Sequence, residues 1–263
     1  MYIEYCLLIV ESFLKKKMTS EIKIDLLLHL ADTNLVLSQR NSEWCGHGPV
    51  LEQDIAITNI SLDLLGQARN FYQYAAQLMG NDSTEDSLAY LRKEREFKNL
   101  LLVELPRGDW AQTILRQYLF SQFQFLLYEQ LQKNEDQQVA AITAKALKET
   151  AYHLRWSREW VLRLGDGTSE SHERMEIAID ALWNYSGEMF EPAEYEKIAG
   201  IDLAPLKETW QKKVSALMEQ ATLPLPENIF MHRGGKQGTH TENLGYILSD
   251  LQYMQRAYPN SQW

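Results

Sequence analysis

Apolar residues recur at helical spacing along most of the chain. Between about 20 and 44, Leu26, Leu27, Leu30, Leu35 and Leu37 fall near a 3.6-residue period. "EWCGHGP" (43–49) breaks that run with Gly46, Gly48 and Pro49. A second helix is predicted from Val50 to Met79. Its apolar positions (Ile55, Ile57, Ile60, Leu64, Leu65, Ala68, Phe71, Ala75 and Leu78) cover most of the circumference, which predicts burial on several sides. "GNDSTEDS" (80–87) reads as a turn into a helix start, with Asp82/Glu85 or Ser83/Asp86 as a capping box. A charged helix is expected from there to about Leu102. "ELPRGDW" (104–110) ends it, and Asp109 with Gln112 caps the next.

That next helix, "DWAQTILRQYLFSQFQFLLYEQLQ", is apolar nearly all round and should be central. "KNED" (133–136) separates it from a helix spanning Gln137 to about Leu164. Three further helices are predicted over about 170–190, 203–221 and 240–257, the last with Thr239 and Glu242 as a box. There is no strand alternation, short-period repeat or low-complexity tract. Four long apolar helices in two hairpins, joined by a longer connection (Gly80 to Asp109), predict an all-α, ferritin-like four-helix bundle with additional C-terminal helices outside it.

Composition narrows the partners. The 263 residues suffice for a sizeable core, and 45% hydrophobic with 24% charged residues is ordinary for a globular protein. A formal net charge of −10 argues against nucleic acid or an anionic membrane as the main partner. No apolar run reaches the ~18 residues of a membrane span. Cys6 and Cys45 cannot build a disulfide framework and fit a reducing cytoplasm. Near the N-terminus, "CLLIV" is flanked by Glu4 and Glu11, and its lysines follow it, the wrong order for a secretory signal. Met18, after Lys15 to Lys17, reads as an alternative start. Residues 1–19 are therefore expected as an extension, or a short surface helix, ahead of a single domain over 20–263.

One stretch suggests chemistry. "LKETAYHLRW" (147–156) places Glu149 and His153 on one helix face, as half of a carboxylate-bridged di-iron site would. Such a site takes about six ligands, a Glu from each of two helices and Glu-x-x-His from each of the others. The six histidines are preceded at the third position by Leu26, Trp44, Thr150, Ser169, Ile229 and Gln237, so the chain has no Glu-x-x-His. The four-residue spelling occurs at Glu149/His153, Glu43/His47 and Asp25/His29, but the Val50–Met79 helix has no histidine at all. His153 then reads as a core histidine and Glu149 as an ion-pair partner of Lys145 or His153.

Longer segments carry a resemblance. "LVLSQRNSEWCGHGPVLEQDIAITNISLDLLGQARNFYQYAA" (35–76), "FKNLLLVELPRGDWAQTI" (97–114), "KALKETAYHLRWS" (145–157) and "RGGKQGTHTENLGYILSDLQYMQR" (233–256) resemble the C subunits of the bacterial phenylacetyl-CoA monooxygenases, ring epoxidases of phenylacetate catabolism. The resemblance runs from about residue 26 to the end. It implies a multicomponent enzyme. A catalytic A subunit carries di-iron and epoxidises the aryl-CoA ring. The C subunit is its metal-free ferritin-like partner, a small B subunit links complexes, and a reductase with FAD and an iron–sulfur centre brings electrons from NADPH. Whether the chain also forms a homo-oligomer is left open.

Set against the metal-bearing sister chain, the resemblance places Leu64 and Gln67 at the first Glu-x-x-His and Thr150 and His153 at the second. Asn34 and Ser121 fall at the two lone carboxylates, and Glu149 is an off-register neighbour of Thr150. Neutral side chains cannot balance two buried cations, so no metal ligand and no catalytic residue is expected in this chain. The expected role is a non-catalytic structural subunit. The competing reading is a di-metal oxygenase or oxidase in its own right, using Glu149 and His153; a ferritin-like storage protein fits the missing ligands poorly.

Other features have two readings each. "RGGKQGTHTE" (233–242) is a glycine loop shaping a turn, or a contact with CoA or a partner through Arg233 and Lys236. Phe120, Phe123, Phe125 and Tyr128, and Trp44, Trp110, Trp156 and Trp160, read as packing. The charged 85–98 stretch reads as a solvated face.

Overall fold

The computed structural model describes residues 2–227, 229–259 and 261, with side chains from Ser20 onward. Eleven α-helices and no strand occur among them. The four long ones are α1 (Tyr2–Ser42), α2 (Leu51–Met79), α5 (Trp110–Leu131) and α6 (Gln137–Gly165). The hairpin α1/α2 packs on the hairpin α5/α6, with α2 lying along α6. Between the hairpins lie α3 (Glu85–Tyr90) and α4 (Leu101–Glu104). This is the ferritin-like bundle with a structured crossover. The expected 1–19 extension falls on residues whose side chains lie outside the described set; the backbone of 2–19 is part of α1. No helix among the described residues is long and apolar enough to cross a membrane.

α5 is central as its composition predicts, with Ile114, Leu115, Leu119, Phe123, Leu127 and Leu131 all buried. Each such side chain stabilises the fold by about 1.5–3 kcal/mol. Asp109 caps α5 by accepting from Gln112 N. Around α5 and α6 pack α7 (Ser169–Leu182) and α9 (Leu203–Gln220), where Trp210 Nε1 donates to Leu119 O at 3.0 Å. The remaining helices are α8 (Glu194–Ile198), α10 (Glu242–Leu251) and α11 (Tyr253–Ala257). The last predicted helix is thus two, and its cap is Thr241 on Asn243 N rather than the Thr239/Glu242 box. The α3 box is likewise Thr84 with Ser87.

The largest departure is the stretch 85–98. Instead of one solvated helix, α3 stops at Tyr90 and the chain turns inward. Asp32 of α1 is fully buried and gathers the Tyr72 hydroxyl (2.5 Å), the Arg92 guanidinium and the Lys98 backbone N–H (2.8 Å). A buried carboxylate needs such partners, and supplying them costs the helix. The helix α2 also departs from expectation. Ile55 and Leu65, expected inside, are 52% and 42% exposed, because the chain covers only one side of α2.

The tryptophans pack as expected. Trp110 meets Trp44, Trp156 and Trp160 edge-on, with centroids 5.0, 6.0 and 6.2 Å away. Phe120, Phe123 and Tyr128 are core, and Phe125 is half-buried.

Candidate functional site

The centre of the bundle holds a network of neutral polar side chains. Asn34 comes from α1, Gln67 from α2, Gln124 and Tyr128 from α5, and Thr150 from α6. All are buried. Gln124 Nε2 donates to Asn34 Oδ1 (2.7 Å) and contacts Gln67 Oε1 (3.2 Å) and the Tyr128 hydroxyl (3.1 Å). Asn34 Nδ2 donates to the Tyr128 hydroxyl at 3.1 Å, and that hydroxyl donates to Gln67 Oε1 at 3.3 Å. Thr150 Oγ1 lies 3.4 Å from Gln124 Oε1 and donates to Ala146 O at 3.0 Å. Burial pushes the Tyr128 phenol well above its ordinary pKa, so the hydroxyl stays protonated.

Of the positions singled out from sequence, Asn34, Gln67 and Thr150 meet here. Leu64 is fully buried one turn before Gln67 and offers no donor atom. Ser121 does not join them. It accepts from Gln117 Nε2 at 2.8 Å, and Gln117 Oε1 accepts from Asn41 Nδ2 at 2.7 Å, a second amide cluster one turn away. The α5 member of the central network is Gln124, which sequence reasoning missed. The signal was present: Gln117, Ser121, Gln124 and Tyr128 stand at i, i+4, i+7 and i+11, one polar line on an otherwise apolar helix.

Glu149 and His153 are not partners of each other. Glu149 Oε2 accepts from Gln67 Nε2 at 2.9 Å, which corrects the expected pair with Lys145 or His153. His153 turns to α2, where its Nε2 donates to Asp63 Oδ2 at 3.0 Å. Its Nδ1 is buried without a hydrogen-bond partner. One imidazole, the two half-buried carboxylates Glu149 and Asp63, and several amides do not fit a pair of cations, which need more anionic ligands than these in a low-dielectric core. Among the described residues no group of three or more His, Cys, Asp or Glu side chains is placed to hold a metal ion.

The glycine loop is tied into the bundle. Glu188 accepts from Leu101 N (2.8 Å), Gly234 N (2.8 Å) and Lys236 N (3.4 Å), so the loop's amides already hold an anion, the chain's own. A Cβ on Gly235 would sit 2.2 Å from Asn99 O, and one on Gly238 2.3 Å from Arg95 O; the close approach requires glycine at both. Lys236 is 1% exposed, and its ammonium pairs with both Glu196 oxygens at 2.9 Å. That corrects the expectation that Lys236 meets CoA or a partner: its charge is turned inward and neutralised. Burial lowers the Lys236 pKa, and Glu196 opposes this. Arg233 is exposed and lies 3.7 Å from Glu191.

The comparisons agree with the architecture. The phenylacetic acid catabolic protein family matches residues 10–263. The chain is 49% identical over 241 residues to the protein named as the C subunit of 1,2-phenylacetyl-CoA epoxidase in Escherichia coli (strain K12), covering 90% of this chain and 97% of the relative. A helical bundle matched over nearly its whole length in this way belongs to the family of phenylacetic acid catabolic proteins.

Proposed function

We propose that this chain is the non-catalytic structural subunit of a multicomponent phenylacetyl-CoA epoxidase. It binds and stabilises the catalytic di-iron chain of that enzyme, its A subunit, in aerobic, cytoplasmic phenylacetate degradation. The observation that carries this reading is the Asn34–Gln67–Gln124–Tyr128–Thr150 network. It fills the middle of the bundle with groups that satisfy one another and carry no charge, so the core is stable without a metal. The relative's name, which makes it one subunit of an epoxidase, supports assembly into a complex. In that complex the di-iron belongs to the catalytic chain, the small B subunit links assemblies, and electrons pass from NADPH through the FAD and iron–sulfur groups of a reductase.

The alternative, an oxygenase built on Glu149 and His153, requires these two to converge. They are instead held by Gln67 and Asp63. Two measurements test the proposal. The chain purified alone should hold less than one iron, and co-expression with the catalytic di-iron chain should yield a joint complex. Stoichiometric iron with a bridged di-iron spectrum, or no co-purification, would sink it.

A further inference from the structure

The outward side of α2 carries large apolar residues that the chain itself leaves bare. Leu51 is 72% exposed, Ile55 52%, Leu62 60% and Leu65 42%. They fall at i, i+4, i+11 and i+14, a line about 21 Å long on one helix face. An aligned row of this kind differs from scattered exposed leucines, which need no explanation.

Gly66 lies exposed within the same face. A Cβ there would meet nothing within 4 Å, so no neighbour in the chain requires glycine. Glycine in a helix interior is nonetheless less favourable than alanine. The open space there leaves room for a backbone to approach from outside the chain. At the Leu65 end the stripe runs into a hollow of about 220 Å³, whose walls combine apolar Leu35, Leu65 and Tyr90 with charged Arg69, Glu85 and Asp86. A hollow so lined takes one side chain with an apolar stem and a polar end.

Beside the stripe, α6 exposes Lys145, Lys148, Tyr152 and Arg155. Arg155 lies over the Tyr152 ring, and none of the three cations has an ion-pair partner among the described residues. A basic edge on a chain of net charge −10 selects an acidic neighbour.

Resting on the function proposed above, we propose that the α2 face from Leu51 to Gly66, with the Lys145–Arg155 edge of α6, docks a helix of the di-iron subunit. That helix presents apolar side chains bordered by Asp and Glu, approaches closest at Gly66, and places one large side chain in the hollow at Leu65.

The test measures the Kd of the full chain for the co-purified di-iron subunit, with oligomeric state read in parallel. The double variant L62E/L65E should lose about 30-fold or more in affinity, as anchoring residues do. K145E/K148E should weaken binding and flatten its salt dependence. G66A should raise Tm by a few degrees through helix propensity and still weaken binding, a combination that a role confined to folding would not give. I177E, on the exposed part of α7 (53% exposed), serves as the control and should bind as wild type does. Unchanged affinity in the α2 variants, while wild type binds, overturns the site and leaves the proposed function standing. A wild-type homodimer that L62E/L65E converts to monomer, with binding of the di-iron subunit intact, overturns it in favour of a second copy. Failure of the wild-type chain to bind at all overturns both.

Discussion

Gln67 Nε2 donates to Glu149 Oε2 at 2.9 Å across the α2–α6 seam. The bond orients the amide: with its nitrogen committed outward, Oε1 points inward and accepts from Tyr128 and Gln124. Glu149 therefore serves as an anchor for the amide network.

Gln124 is the node of that network, touching Asn34, Gln67, Tyr128 and Thr150. Gln124→Leu removes the donor and strands Asn34 Oδ1 inside the core. Leaving buried polar groups unpaired costs about 1–3 kcal/mol each, so a loss of about 2–4 kcal/mol is expected in denaturant titration. Ser121→Ala, in the neighbouring cluster, should cost about 1 kcal/mol. Equal losses at the two positions would show that Gln124 is not the node.

The C-terminal loop is held by charge. Lys236 and Glu196 are each about 1% exposed and 2.9 Å apart. Lys236→Met leaves Glu196 as an uncompensated buried carboxylate, and breaking such a pair costs about 3–5 kcal/mol. Glu196 also accepts from Ala193 N at 2.7 Å as a cap of α8. The double variant K236M/E196Q keeps that bond and removes the stranded charge, so it should recover more than half of the loss. A double variant no more stable than the single one would place the cost in packing.

The bundle was legible in the sequence because its determinants are local. Helix period, the Gly46–Pro49 break and the Asp109 cap each act over a few residues, and the four long helices end where these signals stand. The 85–98 stretch was not legible, since its charged residues look solvated until Asp32, 60 positions before Arg92, claims them. Lys236 misled for the same reason: its partner Glu196 lies 40 residues away. In the central site Asn34, Gln67 and Thr150 could be placed through the family resemblance. Gln124 required reading polar residues on an apolar helix as a line, not one at a time.

His240 gives the pH dependence. Its Nδ1 lies 2.8 Å from Glu104 Oε2 and its Nε2 lies 2.9 Å from Phe97 O. Both neighbours are acceptors, so only the doubly protonated ring satisfies both. Burial alone would lower its pKa; the Glu104 carboxylate and the Phe97 carbonyl outweigh it, and the pKa is raised above 6.5. A histidine raised in the folded state adds stability that is whole below its unfolded value and disappears as pH climbs through the folded one. The stability gap between wild type and His240→Gln should therefore be widest below about pH 6.5 and shrink in alkaline buffer. An NMR titration placing His240 below 6.5 would contradict this.

His153 separates the two functional readings most directly. Its Nε2 is spent on Asp63, and its Nδ1 is buried without a partner. Asp63 has a side chain 36% exposed, so it can turn to water if the imidazole is removed. His153→Leu keeps the volume roughly, removes an unsatisfied buried nitrogen, and frees a carboxylate that solvent can hold. Its cost should be about 1 kcal/mol or less, the usual net worth of one hydrogen bond. In an assembled epoxidase complex containing this variant, turnover should stay within about twofold of wild type. A metal oxygenase built on His153 makes the opposite demand, because losing one imidazole ligand would remove metal and activity together. Complex activity and iron content measured on the same H153L preparation therefore decide between a bundle that supports the reaction and one that performs it.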